Sequence, residues 1–195
     1  MQLKIEGVIL MRRCQWADLE QTPESLKRYH DEEWGRPEYD EQKLFELMCL
    51  ESYQAGLNWQ TVLNKRAAFL KAFHNYQIEA VAAMTEQDLN LLMQNQDLIR
   101  HRLKLAATIN NAQQIEKLHI QGKSLTDLMW SQVDYHPIDH RVSDLQTLPS
   151  ANSVAQALAR DLKKLGFKFL GPVTVYSFMQ AAGLYNDHEI DCAFH

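Results

Sequence analysis

Apolar residues recur along this chain at three- and four-residue intervals, and that spacing predicts helices almost throughout. Leu44, Leu47, Met48 and Leu50 fall on one face of a helix that Asp40 is placed to cap. Gly56 interrupts the pattern, which resumes from Trp59 to Phe73 through Val62, Leu63, Phe69 and Leu70. Thr85-Glu86-Gln87-Asp88 has the spacing of a capping box, with aspartate in the third helical position, and opens a short helix through Leu89, Leu91, Leu92 and Met93. Leu105, Ala106, Ile109, Ala112 and Ile115 predict an amphipathic helix over 102–118, and Ser124 starts another that runs to about Val133. Residues 150–165 predict a helix stopped by Gly166, because glycine enters the left-handed conformation that ends helices. Residues 173–184 are apolar enough for a buried central helix. The stretch 134–149, with two prolines and alternating charge, reads as an irregular loop. Few runs alternate with the two-residue period of a strand, so the chain reads as a compact all-helical protein.

Composition bounds this picture. A length of 195 residues, against roughly 150 per domain, predicts a single domain over 11–195, built as two interlocked helical lobes. Residues 1–10 read as a poorly ordered extension with no secretory signal. No run of 18 apolar residues is present to span a membrane. Three cysteines are too few, and odd in number, for a disulfide framework; Cys49 lies inside an apolar run and reads as core. Reduced thiols fit a cytoplasmic protein. The formal charge of −5 does not favour nucleic acid as a partner, yet a local basic patch suffices for phosphate contact.

Candidate chemistry lies in three places. Cys14 and His30 near the start, and His188 and Cys192 near the end, are residue types that ligate zinc, and a structural zinc takes four protein ligands. A helical turn would put His188 and Cys192 on one face, whereas the interval between Cys14 and His30 matches no compact finger motif, and His136, His140 and His195 compete as ligands. The second place is Glu51, at the end of an apolar helix and flanked by Tyr53 and Trp59, with Trp16, Tyr29 and Trp34 upstream. Such a carboxylate is either solvated beside core aromatics or the acceptor in a pocket whose rings stack on a flat heterocycle, as with a flipped-out base. The third is the segment 95–102, where Arg100 and Arg102, with Lys104 close by, sit between two helices in the manner of a hairpin that meets phosphates, or of an ordinary basic loop.

Several blocks taken together resemble the 3-methyladenine DNA glycosylase I family. They are Arg13-Cys14-Gln15-Trp16, Tyr29-His30-Asp31-Glu32-Glu33-Trp34-Gly35, Cys49-Leu50-Glu51 followed by Gln54-Ala55-Gly56-Leu57-Asn58-Trp59, Ile99-Arg100-His101-Arg102, Gly166-Phe167-Lys168-Phe169-Leu170-Gly171, Tyr176-Ser177-Phe178-Met179-Gln180-Ala181 and Asn186-Asp187-His188. The likeness runs from about Met11 to Cys192 in unbroken order. It implies an all-helical fold of the helix-hairpin-helix glycosylase superfamily and action on double-stranded DNA that contains alkylated adenine; nothing in the sequence suggests more than a monomer. It implies one structural zinc on Cys14, His30, His188 and Cys192, which closes the coordination sphere and leaves no position for metal-activated water. Excision of 3-methyladenine without a lyase step would then rest on Glu51 at the base edge and Trp59 stacked on the base, with Trp16 and Tyr29 walling the pocket and Gln54 positioning base or sugar. Arg100, Arg102 and Lys104 would meet the DNA backbone. Asp97 stands where relatives commonly carry glycine, which motivates an alternative in which the protein binds alkylated bases without turnover. The aspartate that the wider superfamily uses near the hairpin has no counterpart, and Asp134 and Asp139 read as surface.

Overall fold

The computed structural model describes residues 4–5, 8–9 and 11–195. The expectation of a poorly ordered extension over 1–10 falls mostly outside the described residues; within it, β1 (Lys4–Ile5) pairs antiparallel with β2 (Val8–Ile9). The helices are α1 (Glu24–Glu32), α2 (Glu41–Gln54), α3 (Trp59–Ala72), α4 (Ile78–Ala82), α5 (Glu86–Gln94), α6 (Arg102–Ile120), α7 (Leu125–Trp130), α8 (Ser153–Lys164) and α9 (Pro172–Ala181).

Local chemistry sets the helix starts. Asp40 Oδ1 accepts from the Lys43 amide at the head of α2, Asn58 does the same for Thr61 in α3, and Ser124 caps α7. Thr85 and Asp88 close the expected capping box of α5 in both directions. Asn152, two residues later than predicted, caps α8, which Gly166 terminates at φ +90°. Each such cap satisfies a backbone group that the first turn leaves open, worth about 1 kcal/mol.

The centre of the molecule is α2, in which every residue from Leu44 to Tyr53 is buried. It packs against α3, α6, α7 and α9. A helix covered on all sides must find partners for its charges or leave them unpaired at a cost. It carries two buried glutamates with opposite fates. Glu46 accepts from Arg66 Nε at 2.8 Å and Lys43 Nζ at 3.3 Å. Glu51, 6% exposed, accepts from no described residue.

Two features depart from the all-helical expectation. The segment 134–149 contains β3 (Ile138–Asp139), which pairs in parallel with β4 (Tyr185–Asn186) after α9, and Val142 bridges to Glu189. Two-residue strands are too short to show periodicity. The turn 188–192 is not helical; the Cys192 amide bonds the Glu189 carbonyl at 2.7 Å. The His188–Cys192 spacing therefore brings both side chains together through a tight turn.

Candidate functional site

Glu51 opens into a cavity of about 390 Å³ between α2 and α9, a volume suited to a small heterocycle. Trp16, Tyr29, Glu51, Gln54 and Trp59, the expected pocket residues, all line it. Trp34 joins them, as do Val173, Tyr176, Ser177 and Gln180 on one face of α9 and Leu145, Leu148 and Pro149 from the loop after β3. The α9 face was legible as an apolar stretch and, over 176–181, as a block that resembles the family, but nothing in its spacing separates a pocket wall from core. Tyr29 and Trp59 pack with ring centroids 5.1 Å apart, and Trp16 meets Trp34 edge-on at 5.3 Å. Trp59 Nε1 is buried without an acceptor among the described residues, an orphaned donor on the same wall.

Burial away from compensating cations pushes the Glu51 carboxyl up to about 8. The Tyr29 hydroxyl also moves up, first by burial and then by the proximity of Glu51. An acid whose ionisation burial opposes is one that a cationic ligand would favour in its charged form.

Behind the pocket, Cys14, His30, His188 and Cys192 form a buried cluster whose donor atoms all lie within 4.8 Å of one another. Cys14 Sγ is 3.4 Å from His188 Nδ1, and Cys192 Sγ is 3.6 Å from His30 Nε2 and from His188 Nδ1. The outer nitrogens are engaged: His30 Nδ1 with Asp31 Oδ1 at 2.8 Å, and His188 Nε2 with the Trp34 carbonyl at 2.9 Å. Such partners orient imidazoles for a metal. The Glu189 and Phe194 amides donate to the two sulfurs, as they would to thiolates. The Cys192 thiol is held far below its ordinary value, first by Cys14 and then by His188 and His30. The donor set fits a metal ion. His136, His140 and His195, the rival ligands, are engaged elsewhere: with the Asp134 carbonyl, with Asp187, and with Asp139 and the His188 carbonyl.

The expected phosphate contacts divide. Arg100, at the hairpin between α5 and α6, is exposed and has no hydrogen-bond partner among the described residues. Arg102 is exposed but turned onto α5, bonded to Glu86 and, at 2.9 Å, to Asn90. Lys104 corrects the expectation: it is buried and donates to the carbonyls of Tyr53 at 2.9 Å and Ala55 at 2.6 Å. It lies on the inward stripe of α6 beside Leu105 and Thr108, and its ammonium satisfies carbonyls left open at the end of α2. Asp97 requires no left-handed backbone, since no residue from 95 to 101 has positive φ. Its amide bonds Asn95 Oδ1 at 2.9 Å, and Lys65 Nζ holds the carbonyls of Gln96 and Asp97.

Fold and site together define a helical pocket protein: an aromatic cavity holding an acid unpaired among the described residues, backed by a four-donor cluster. The chain belongs to the methyladenine glycosylase family, whose sequence profile matches residues 16–195. It is 46% identical over 180 residues to the DNA-3-methyladenine glycosylase of Haemophilus influenzae, covering 92% of this chain and 96% of that one. A crystal structure of 3-methyladenine DNA glycosylase I superposes with a TM-score of 0.89 at 45% identity, covering 93% of this chain and 98% of the other. A variant of 3-methyladenine DNA glycosylase I, solved in complex with 3-methyladenine, superposes with a TM-score of 0.86 at 41% identity over 89% of this chain and 94% of its own.

Proposed function

We propose that this protein excises 3-methyladenine from alkylated double-stranded DNA by hydrolysing the N-glycosidic bond. The observation that carries this reading is Glu51, a buried carboxyl with no partner among the described residues, aimed into an aromatic cavity. Methylation at N3 makes adenine cationic in the nucleotide, so the bond to C1′ is already weakened and the base departs neutral. Enclosure by Trp16, Tyr29 and Trp59 favours a cation by about 1–2 kcal/mol when water is excluded. Glu51, ionised by that cation, accepts from the base edge, and Gln54 positions base or sugar. Water attacks C1′ as the sugar becomes oxocarbenium-like. None of the residues lining the cavity is a lysine, so no amine stands there for the Schiff base of a lyase step.

The hairpin between α5 and α6 gives the fold its helix-hairpin-helix character and faces the DNA backbone, with Arg100 as its free cation. The Cys14, His30, His188, Cys192 cluster suits zinc, because two thiolates and two imidazoles are its preferred tetrahedral set. Bound zinc would join the N-terminal segment to the C-terminal turn. Four protein ligands leave no place on the metal for a reacting water, so the chemistry stays with the pocket.

The direct test is chromatography of bases released from methylated DNA. Free 3-methyladenine in catalytic excess over protein supports the reading; binding of methylated DNA without release assigns the lesion-binding alternative instead. Two further outcomes follow from the geometry. For kcat/KM, which reports groups of the free enzyme, activity should rise with pH to a plateau above about 8, as Glu51 loses the proton that burial holds on it. A flat profile through that range would detach the Glu51 charge from recognition. Arg100→Ala should lower the salt slope of log K for DNA by about 0.9, whereas Lys104→Met should leave that slope alone and reduce stability. Equal slopes in Arg100→Ala and wild type would remove Arg100 from the phosphate contacts.

A further inference from the structure

Asp187 precedes the cluster residue His188, is fully buried, and takes no part in the cluster. Its Oδ1 is 2.6 Å from His140 Nδ1. Its Oδ2 accepts from Gln180 Nε2 at 2.7 Å and from the Tyr176 hydroxyl at 3.3 Å. Tyr176 and Gln180 stand one turn apart on α9, and both line the cavity. The loop that carries His140 is fixed beside Asp187 by the β3–β4 pairing, with the His140 amide on the Asn186 carbonyl and its ring 4.7 Å from Tyr185.

This arrangement restricts what the α9 wall offers a ligand. A carboxylate oxygen only accepts, so Gln180 must turn its NH₂ toward Asp187. Its Oε1 is left facing away from Asp187 and accepts from no described side chain. The Tyr176 proton is committed to Asp187 in the same way. The structure thereby assigns Asp187 the role of a positioning residue that engages one Gln180 N–H and the Tyr176 proton and so holds the Gln180 and Tyr176 oxygens as acceptors on the cavity wall. With Glu51 contributed by α2, two elements then present acceptors to one ligand. Such a pocket selects a base edge that carries N–H donors and rejects one that carries a carbonyl at the same place, because two acceptors face to face leave both unpaired. The inference deepens the reading of this cavity as a base pocket and rests on it.

The test compares two free bases, 3-methyladenine and 3-methylhypoxanthine, which differ by an amino group against a carbonyl at C6. Binding is followed by quenching of the tryptophans that line the cavity. Wild type is expected to prefer 3-methyladenine by at least about tenfold, and Asp187→Ala, which frees the Gln180 amide to rotate, to narrow that preference to about threefold or less. Gln180→Met, which supplies neither acceptor nor donor, should weaken 3-methyladenine yet gain nothing toward the carbonyl base. The double variant should lose less than the sum of the two single changes, since Asp187 acts through Gln180 and, in the remainder, through Tyr176. A merely structural role for Asp187 would weaken both bases equally and leave their ratio unmoved, and that result overturns the assignment; so does additivity in the double variant. Should Asp187→Ala fail to fold, Asp187→Asn and Gln180→Met carry the comparison, with Asn expected to keep the wild-type ratio because its oxygen can still accept from Gln180. A wild type indifferent to the two bases sinks the acceptor wall. No release of 3-methyladenine from methylated DNA sinks the glycosylase while leaving the binding ratio to judge Asp187, and no binding of either base overturns the pocket and the wall together.

Discussion

Glu51→Gln is expected to reduce kcat/KM for release of 3-methyladenine by at least about 10²-fold, near 3 kcal/mol of transition-state stabilisation, in a protein that folds normally. The amide keeps the size of the side chain and one acceptor oxygen but removes the charge that answers the cation. Glu51→Ala removes the acceptor as well and should abolish release. Wild-type rates in both variants would exclude Glu51 from the reaction.

The same substitution should stabilise the fold, and the sign follows from the burial of the acid. The unfolded chain ionises Glu51 near its ordinary value of 4.5, while the folded protein holds the proton up to about 8. Between those values unfolding releases a proton, so stability falls as pH rises. Each unit of displacement is worth about 1.4 kcal/mol, which makes the penalty a few kcal/mol above pH 8. Glu51→Gln never carries it, so the variant should melt higher than wild type at pH 8–9 and converge with it toward pH 4.5. A residue that lowers stability while its removal lowers activity is placed for function.

This distinction between Glu46 and Glu51 could not be read from the chain. Both lie on α2 and both are buried; the aromatic neighbours of Glu51 marked it as a candidate, but that Arg66, contributed by α3, pairs with Glu46 and leaves Glu51 bare is set by the fold. The helices with caps and apolar stripes were legible, including the box at Thr85 and the stop at Gly166. Helix α1 was not, because only Tyr29 and His30 among its nine residues are buried and its polar face sets no period. The loop over 134–149 gave no sign that it folds onto the pocket, since its contribution is two half-buried leucines and an exposed proline, which set no apolar period of their own. Lys104 misled for the converse reason: a lysine beside arginines reads as a solvated face, whereas its carbonyl acceptors come from a helix fifty residues away in the chain. The cluster residues were recognisable by type, while their convergence depends on the whole fold lying between them.

Loss of the zinc proposed for this cluster is expected to act on stability first and on recognition through it. Cys14→Ala or Cys192→Ala should abolish stoichiometric zinc and lower the melting temperature by roughly 10 °C, the equivalent of about 3 kcal/mol for a chain of this length. The effect stops short of the complete unfolding seen when a zinc finger loses its ion, because α2 and its neighbours keep a core of their own. The cluster is nevertheless continuous with the pocket. Trp16 lies two residues after Cys14, Tyr29 directly precedes His30, and His188 Nε2 bonds the Trp34 carbonyl at 2.9 Å. Next to Trp34, Gly35 has φ +74°, and a Cβ there would come within 2.9 Å of the His188 ring, so the chain passes this histidine at a distance only glycine permits. Without the proposed zinc, the Trp16, Tyr29 and Trp34 walls would lose a common anchor, and KM should rise before kcat falls. Chelation of the wild-type protein should reproduce both changes, and zinc should reverse them. An unchanged melting temperature after complete removal of zinc would refute the structural role, and loss of kcat with melting and KM intact would place the metal in the chemistry.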